Sequence, residues 1–253
     1  MEPPRSIVIT GASSGIGEAL ALAYAGPGVA LALTGRDGDR LAAVAAACRA
    51  RSAEARADVI DVVDRSAMAR WLTDIDTATP VDLVIANAGI GAGSADGTES
   101  ADQVRRVFAV NLDGAFNTVL PLLPAMIGRG RGQIALMSSL AAFRGFPGAP
   151  AYCASKAALR VWGEALRGDL RRHGVRLSVI CPGYVASRMT ARNKFPMPFL
   201  MPAERAARII MRGLERDRAR IAFPFPTYVM AWLLGGLPPG LTDPLLRRLP
   251  RKQ

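Results

Sequence analysis

The sequence predicts an α/β protein with a doubly wound, mostly parallel sheet of seven strands and helices on both faces. Short apolar runs alternate with helix-like segments up to about residue 223, and this alternation is typical of a parallel sheet. A glycine-rich turn, TGASSGIG at residues 10–17, joins the first apolar run to the first helix-like stretch. The 253 residues can bury one sizeable core, so we expect a single domain over residues 1–253.

The alternation predicts the elements in chain order. Each apolar run is bounded by turn residues and is interpreted as a buried strand. The predicted strands are residues 6–10, 29–34, 54–58, 81–87, 133–138, 176–181 and 220–223. The predicted helices include residues 18–25, 38–51, 66–74, 101–109, 112–129 and 151–173. In such sheets ligands bind beyond the carboxyl ends of the strands, so we expect the functional site at that edge.

The glycine turn has the features of a phosphate-binding loop. Gly11, Gly15 and Gly17 allow the backbone to turn sharply and to approach a ligand closely. The N-terminus of the following helix offers free N–H groups to a pyrophosphate. The turn therefore indicates a dinucleotide site.

Tyr152 and Lys156 lie four residues apart in one predicted helix, one turn apart on the same face. An unperturbed tyrosine has a pKa of about 10, and the ammonium of Lys156 is expected to lower the pKa of Tyr152 by stabilising the phenolate. The pair indicates general acid–base chemistry that needs no histidine. A partly solvated helix face with no catalytic role is the alternative interpretation.

Together these motifs resemble those of the short-chain dehydrogenase/reductase family in its single-domain form. The resemblance covers nearly the whole chain and involves five features in the family's order and spacing. The matching features are the glycine turn, the Asn87-Ala88-Gly89 motif, a tetrad of Asn111, Ser139, Tyr152 and Lys156, the turn Pro182-Gly183, and the spacing of 13 residues between Ser139 and Tyr152.

The resemblance implies an oxidoreductase that interconverts a secondary alcohol and a ketone or aldehyde on a hydrophobic small molecule. Tyr152 is expected to donate the proton, with a second hydrogen bond from Ser139 rather than from the neighbouring Ser138. Lys156 is expected to lower the pKa of Tyr152 and to hold the nicotinamide ribose. Asn111 is expected to bend a helix and to hold a water that connects Lys156 to solvent.

The resemblance also implies the cofactor contacts. Asp58 matches the family position that accepts a bond from the adenine amino group, and Asn87 matches a residue beside the adenosine ribose. The segment after Pro182-Gly183 matches the stretch that faces the nicotinamide. The residues expected at the cofactor are Gly11, Ser13, Ser14, Gly15, Ile16, Gly17, Arg36, Asp58, Val59, Asn87, Ala88, Gly89, Tyr152, Lys156, Pro182, Gly183, Val185 and Ser187.

Gly35-Arg36 at the end of the second predicted strand favours NADP over NAD. An acidic residue there would bind the adenosine ribose hydroxyls, whereas a guanidinium suits a 2′-phosphate. An exposed turn arginine is the alternative interpretation, and NAD is then the alternative cofactor.

Substrate contacts are expected from residues 140–150 and from a lid segment at residues 184–201. The lid contains aromatic residues, methionines and prolines, which suit an apolar ligand. Simple packing of these side chains onto the core is the alternative. The candidate substrate residues are Leu140, Phe146, Tyr184 and Met189.

The C-terminal extension, residues 224–253, is apolar and then basic. No charged residue occurs from Ile221 to Thr242, and the chain ends RRLPRKQ. Prolines leave only residues 227–237 for a continuous helix, which is too short to span a bilayer. Tyr228 and Trp232 beside a basic flank indicate a peripheral membrane contact; subunit packing or a flap over the site is the alternative.

Composition and charge limit which partners, metal sites and cellular locations are expected. The net charge of +11 is scattered arginine, with lysine at only three of 32 basic positions, so we predict no nucleic-acid partner. Three cysteines without CxxC spacing and one histidine predict no metal site and no disulfide framework. The N-terminus lacks the basic and apolar segments of a secretory signal, so a cytoplasmic protein is expected. The resemblance implies a homodimer or homotetramer formed by helices 112–129 and 151–173.

Three other functions are alternatives. A nucleotide-sensing protein would keep the dinucleotide site without turnover, although the complete tetrad favours an enzyme. A nucleic-acid binder would rely on the arginines and would show a steep salt dependence. An epimerase or dehydratase of the larger related group usually has a longer substrate domain.

Overall fold

The computed structural model describes residues 3–91, 98–193 and 195–246. Within them, seven parallel strands form one sheet in the order β3-β2-β1-β4-β5-β6-β7. The strands are β1 (Ser6–Thr10), β2 (Ala30–Gly35), β3 (Glu54–Val59), β4 (Leu83–Ala86), β5 (Gly132–Met137), β6 (Val175–Pro182) and β7 (Arg220–Phe223). The predicted seven-stranded, doubly wound sheet is confirmed.

Helices cover both faces of the sheet. They are α1 (Gly15–Tyr24), α2 (Gly38–Arg49), α3 (Arg65–Ala78), α4 (Ala101–Phe108), α5 (Gly114–Val119), α6 (Leu123–Gly128), α7 (Pro150–Arg171), α8 (Ala203–Glu215), α9 (Phe225–Gly236) and α10 (Pro239–Leu246). Except within 112–129, predicted and observed boundaries differ by at most four residues, as at the end of α3, where 78 replaces 74.

Each central strand supplies side chains to two cores. Ile7 and Ile9 of β1 pack with Ile210 of α8 on one face, while Val8 packs with Leu159 of α7 on the other. Successive side chains of a strand point to opposite faces, so strands covered on both sides are apolar throughout. This explains why the inner strands were recognisable as continuous apolar runs.

The prediction of a buried strand at residues 54–58 is wrong. β3 is mostly exposed because it forms one edge of the sheet and pairs only with β2. Its sequence, EARADV, is correspondingly polar. Only the position of β3 at the edge, which a single sequence does not reveal, explains this exposure.

The predicted continuous helix at residues 112–129 is also wrong. A π-helical turn, Ala109–Asp113, leads into α5, and a break separates α5 from α6. Pro121 lies in that break, and proline has no N–H to continue the helical ladder. The helix therefore ends at Val119 and resumes at Leu123.

The helical run Ala101–Gly128 has the length and apolar composition of a membrane span, with 28 residues and a mean hydropathy of 1.2. Its side chains nevertheless form part of the protein core, since Val107 and Val119 are fully buried. We interpret the run as a core segment.

The C-terminal extension contains two helices rather than one. α9 begins at Phe225, two residues earlier than predicted, because Pro226 occupies the first turn, where proline is tolerated. α10 follows even though Pro244 lies inside it. The basic residues of the predicted tail, 247–253, lie outside the described residues.

Helix α7 lies very close to the sheet. A Cβ added at Gly163 would lie 2.6 Å from Cδ1 of Leu136 on β5 and 2.8 Å from Cγ2 of Val179 on β6. The missing side chain thus allows α7 to approach the strands. This contact sets the distance between α7 and the sheet, and thereby positions the side chains in the first turns of α7.

Replacing Gly163 with alanine is expected to destabilise the protein by overpacking this contact. Gly168→Ala is the matched control, because it lies on the same helix and its Cβ would meet no atom within 4 Å. Both variants gain the same helix propensity, so we expect Gly163→Ala to be less stable than Gly168→Ala by about 1–3 kcal/mol. The free energy of unfolding from denaturant titration measures the difference. Equal stabilities would contradict the close packing.

Candidate active site

The glycine turn after β1 packs tightly against the chain that leaves β4. Gly11 and Gly15 have φ values of +66° and +61°, a region that favours glycine. A Cβ at Gly11 would lie 2.8 Å from Cα of Ala88, and one at Gly17 would collide with the carbonyl oxygen of Gly11. A side chain is therefore disfavoured at all three predicted glycines, by a positive φ at Gly11 and Gly15 and by close contacts at Gly11 and Gly17.

Asn87 ties the two strand ends together. Its Nδ2 donates to the carbonyl oxygens of Thr10 and Gly11 at 2.9 and 3.2 Å. The N–H groups of Asn87 and Ala88 both donate to Oγ1 of Thr10 at 3.1 Å. Because β1 lies between β2 and β4, these bonds fix the point at which the winding of the sheet reverses, where ligands bind in this architecture. The predicted place of Asn87 beside a ribose stays a prediction.

The first turn of α1 fits a dinucleotide pyrophosphate. Asp37 caps α2 by accepting from the N–H of Arg40, and Asp64 caps α3 in the same way. In contrast, Ser14 precedes α1 without a side-chain hydrogen bond to the helix. The N–H groups that begin α1 thus have no side-chain cap, as an anion site at a helix N-terminus requires. Ser13 lies beside Gly35, whose added Cβ would be 3.1 Å from the Ser13 hydroxyl.

Asp58 is held rigidly at the end of β3. Arg56 donates to both carboxylate oxygens, at 2.7 and 3.0 Å, and Nε1 of Trp71 donates to Oδ2 at 2.8 Å. Burial alone would raise the pKa of Asp58, but the hydrogen bonds from Arg56 and Trp71 and the charge of Arg56 outweigh it and lower the pKa. The predicted adenine acceptor is therefore a fixed, ionised carboxylate. Val59, the next residue, is 61% exposed.

Sequence reasoning missed both partners of Asp58. Arg56 lies two residues earlier on the same strand, so its side chain is on the same face, and this spacing could have identified it. Nothing in the sequence marks Trp71, which comes from α3.

Arg36 is exposed beyond the end of β2. Burial raises the pKa of Asp61, but a backbone hydrogen bond from Val63, the bond and charge of Arg106, and the charge of Arg36 together lower it. Arg36 is thus close enough to a neighbouring carboxylate to affect it electrostatically, and within the described residues it forms no ion pair of its own. Its predicted contact with a 2′-phosphate stays a prediction.

Ser139, Tyr152 and Lys156 come together at the carboxyl end of β5. The hydroxyl of Ser139 is hydrogen-bonded to Tyr152. The Lys156 ammonium lies 5.9 Å from the centre of the Tyr152 ring, is 4% exposed, and donates to the carbonyl oxygen of Met137 at 2.8 Å. The structure therefore places a proton donor, a second hydroxyl and a cation at one point.

The two neighbouring serines have different contacts. Ser138 donates its hydroxyl proton to the carbonyl oxygen of Lys156 at 2.8 Å, within the contact between β5 and α7. Ser139 instead accepts from the N–H of Ala141 at 3.1 Å and lies 3.5 Å from the carbonyl oxygen of Pro182. Only Ser139 is bonded to Tyr152, as its spacing in the sequence predicts.

The expected lowering of the Tyr152 pKa by Lys156 is wrong in direction. Burial raises the pKa of Tyr152, and the hydrogen bond from Ser139 offsets this only partly. Burial also lowers the pKa of Lys156, to about 8. Removing both groups from water disfavours their charged forms, and Cys153, Tyr184 and Cys181 near Tyr152 raise its pKa further. Tyr152 is consequently a protonated phenol at neutral pH.

Asn111 lies in the π-helical turn Ala109–Asp113, so a distortion of the helix is present where one was expected. Its Oδ1 accepts from the N–H of Ile90 at 2.8 Å, and its Nδ2 donates to the Ile90 carbonyl and to the Ser155 hydroxyl, each at 3.0 Å. A Cβ at Gly89 would lie 3.1 Å from Oδ1 of Asn111 and 3.2 Å from Nζ of Lys156. Gly89 is therefore needed for Asn111 and Lys156 to approach this segment.

The segment after β6 lies over the glycine turn. The N–H of Gly183 donates to the carbonyl oxygen of Phe223 at 2.7 Å, which follows from the pairing of β6 with β7. Farther on, a Cβ at Gly15 would lie 3.0 Å from Cβ of Ser187, so these residues touch. The Ser187 hydroxyl is 3.2 Å from that of Thr190. The predicted cofactor residues after β6 thus face the predicted cofactor turn.

The lid segment, residues 184–201, is closed at its base. Val185 pairs with Met201, and the N–H of Met201 donates to the carbonyl oxygen of Tyr184 at 3.0 Å. The rings of Tyr184 and Phe195 meet edge to face, 6.1 Å apart. Tyr184 also acts on the pKa of Tyr152, which places it next to the catalytic group. Lys194 lies outside the described residues.

The other predicted substrate residues have different surroundings. Leu140 is buried, and the half-buried Met189 belongs to the lid. Phe146 lines a cavity of about 530 Å³ between the loop 141–147, Asp243 and the side of α7 that carries Ala154 and Ala157. At 100° per residue those alanines face away from Tyr152. Cys153, the neighbour of Tyr152, also lines this cavity, and the predicted contact of Phe146 with a substrate stays a prediction.

Comparisons with known proteins agree with this geometry. The family model for the short chain dehydrogenases matches residues 5–196. An uncharacterized oxidoreductase of Myxococcus xanthus is 39% identical over 246 residues, 97% of each chain. The ketoacyl reductase HetN of Nostoc sp. is 34% identical over 198 residues, which are 78% of this chain and 69% of that protein. The crystal structure of a short chain dehydrogenase/reductase from Burkholderia phymatum in complex with NAD superimposes with a TM-score of 0.83 at 27% identity, covering 98% and 97% of the two chains.

The lowered pKa of Lys156 predicts a pH dependence of stability. The folded-state pKa is about 8, whereas a lysine in the unfolded chain has a pKa of about 10.4. Between these values the unfolded state binds more protons, so stability rises with pH. The free energy of unfolding, compared with that of Lys156→Met, is expected to increase from pH 8 to pH 10, by at most about 1.4 kcal/mol per pH unit.

This window ends near pH 10 because lysine in the unfolded chain loses its proton at a pKa of about 10.4, above which both states are neutral at this position. The other titrating groups are shared by both proteins and cancel in the difference. A flat or falling difference between pH 8 and pH 10 would show that Lys156 is charged throughout.

Proposed function

The chain belongs to the short-chain dehydrogenase family and is an NAD(P)-dependent oxidoreductase, and we propose that it uses NADP to interconvert a secondary alcohol and a ketone or aldehyde on a hydrophobic small molecule. The observation that carries the proposal is the group of Ser139, Tyr152 and Lys156. These side chains converge beside the glycine turn, at the edge of the sheet where a dinucleotide binds.

The protein supplies the proton and the charge stabilisation. The reduced cofactor, NADPH, would be held by the glycine turn and Lys156 and would supply the hydride, leaving as NADP+. As a carbonyl is reduced, negative charge develops on its oxygen, so the Tyr152 hydroxyl donates its proton there while the Ser139 hydroxyl donates a hydrogen bond. Preorganised donors of this kind are usually the largest electrostatic contribution to catalysis.

The two shifted pKa values suit the reductive direction. Burial raises the pKa of Tyr152 and thereby keeps the phenol protonated, which is the form that reduction requires. The ammonium of Lys156 has three N–H groups, and one of them donates a hydrogen bond to the carbonyl oxygen of Met137. The other two can donate to ribose hydroxyls, as the family's pattern implies.

The surroundings of Arg36 support NADP. Asp37, the next residue along the chain, caps α2 and forms an ion pair with Arg40 at 2.7 Å. Its carboxylate is therefore occupied at the helix end, while the exposed guanidinium of Arg36 is available to a phosphate dianion.

An apolar carbonyl compound fits the lid best. Tyr184 lies next to Tyr152, and Phe195 packs against Tyr184, so the approach to the catalytic hydroxyl is lined by aromatic rings. The similarity to a protein named as a ketoacyl reductase points to the same class of substrate.

We also propose a homodimer or homotetramer in the cytoplasm. Leu120, beside α5, and Val161 of α7 are about half exposed, and both lie within the segments expected to form the subunit contact. Cys48, Cys153 and Cys181 are buried and form no disulfide within the described residues, which is typical of a reducing compartment.

Tyr152→Phe tests the chemistry, because it removes only the hydroxyl. We expect kcat for carbonyl reduction to fall by a factor of about 10³ or more, since proton donation and one hydrogen bond are both lost. Binding of NADPH should change little, as measured by fluorescence titration. Undiminished turnover would overturn the assignment.

Ser139→Ala and Ser138→Ala form a matched pair for the same test. Ser139→Ala is expected to lower kcat by about 10²-fold, in line with the loss of one donor to a developing oxyanion. Ser138→Ala is expected to reduce stability while kcat stays near that of the unmodified protein, because its hydroxyl bonds the backbone carbonyl of Lys156 and the buried thiol of Cys181 rather than Tyr152. If no compound in a panel of ketones and aldehydes is reduced while NADPH still binds, the nucleotide-sensing alternative is favoured instead.

Arg36→Ala tests the cofactor preference. A charge-assisted bond to the 2′-phosphate contributes about 1.5–3 kcal/mol, so the Kd for NADPH is expected to rise about 10- to 100-fold while that for NADH changes little. Arg172→Ala, an exposed arginine at the C-terminus of α7, is the control and should alter neither Kd. Equal losses for both nucleotides would contradict a 2′-phosphate contact.

A further inference from the structure

Helix α9 is apolar on all sides but only one of its faces contacts the protein. Ala231 is buried, the Tyr228 ring lies 5.5 Å from that of Phe143 in an edge-to-face contact, and a Cβ at Gly235 would collide with the Phe143 carbonyl. Residues 228, 231 and 235 share one face of the helix. Helices without a polar face are normally buried, so the opposite face of α9 calls for an explanation.

Helices α9 and α10 and a residue between them carry six large hydrophobic side chains that are exposed. We call this set the apolar face, and its members are between 47% and 72% exposed. They are Phe225, Met230, Trp232, Leu233, Leu237 and Leu241. Six large apolar residues on two consecutive helices form a patch of the kind that marks an interaction site.

The apolar face belongs to an ordered part of the molecule. Arg144 donates to the Thr242 hydroxyl at 3.0 Å and forms an ion pair with Asp243 at 2.8 Å, and the guanidinium of Arg220 donates to the Tyr228 hydroxyl at 3.1 Å. These bonds hold α9 and α10 against the body of the protein. The exposure of the face is therefore built into the fold.

The charge of the adjoining sequence identifies the occupant. The seven residues after α10, RRLPRKQ, carry four cations and no acidic residue, and at about 3.5 Å per residue they reach at most ~25 Å from the end of α10. A symmetric contact between two copies would bring two such tails to the same interface, where like charges repel. Anionic phospholipid headgroups would instead neutralise them.

We propose that the apolar face is a peripheral docking surface for an anionic phospholipid bilayer. The indole of Trp232 suits the headgroup boundary, the other apolar side chains enter the acyl region, and the basic tail binds headgroup phosphates. α9 has 12 residues, too few to cross a bilayer, so the protein lies on the membrane rather than spanning it.

Vesicle co-sedimentation of the full chain tests the proposal. Vesicles of phosphatidylcholine mixed with phosphatidylglycerol are expected to bind the protein, and pure phosphatidylcholine vesicles much less. Removing residues 247–253 should weaken binding strongly, since each basic residue near an anionic surface contributes roughly fivefold. Binding should also weaken with added salt.

Two surface variants test the apolar contribution. Trp232→Ser combined with Leu233→Ser should lower the vesicle partition coefficient by about tenfold or more, whereas the control double variant Ala46→Ser with Ala47→Ser, at two exposed positions of α2, should leave it unchanged. Trp232→Phe should bind like the unmodified protein but lose the blue shift of tryptophan fluorescence on binding. Circular dichroism confirms that each variant is folded.

Three results would overturn the proposal: no preference for phosphatidylglycerol vesicles, unchanged binding of the double serine variant, or dissociation of an oligomer by that variant in size-exclusion chromatography. The last result would identify the face as a contact between copies of this chain. Reduction of water-soluble ketones is measured separately and should be the same in all these variants. Failure of membrane binding is thus distinguishable from failure of the proposed function.

Discussion

The burial of the Lys156 ammonium is the constraint on which the active site depends. A cation at 4% exposure is tolerated only with good partners, and here four parts of the chain meet around it. β5 supplies the Met137 carbonyl, α7 supplies Lys156 itself, the segment after β4 contributes Gly89, and the π-helical turn contributes Asn111. The compact ammonium fits where a planar guanidinium would not. This explains why lysine stands here in a chain whose basic residues are otherwise nearly all arginine.

The same burial determines where the proton lies. Desolvation raises the pKa of Tyr152 and lowers that of Lys156, so the pair resists forming phenolate, and reduction of a carbonyl uses the protonated state directly. Oxidation of an alcohol would first require the loss of the phenolic proton, which the Ser139 hydrogen bond favours only partly. Burial of the two side chains therefore disfavours the phenolate, the form that would accept a proton from an alcohol.

Sequence reasoning predicted those parts of the structure that depend on local chemistry. Short-range sterics or periodicity explain the glycine turn, the spacing of Tyr152 from Lys156 and the apolar inner strands. The structure has each of these features where it was predicted. Properties that depend on tertiary placement were not accessible: the exposure of β3 follows from its edge position, the Trp71 bond to Asp58 joins different elements, and the sign of the Tyr152 shift reflects burial. The break at Pro121 was readable from the sequence but was outweighed by the apolar pattern around it.

Phe143 connects the catalytic loop to the C-terminal helices. Its ring lies 4.7 Å from the guanidinium of Arg160 and 5.1 Å from that of Arg220, and both arginines are paired with Glu164. Such cation–π contacts are strongest where water is excluded. Phe143 lies four residues after Ser139 along the loop. Its ring also packs against that of Tyr228 on α9. The same side chain therefore contacts α9 and lies in the loop that follows Ser139, so the packing of the C-terminal helices and the position of this loop share one aromatic contact.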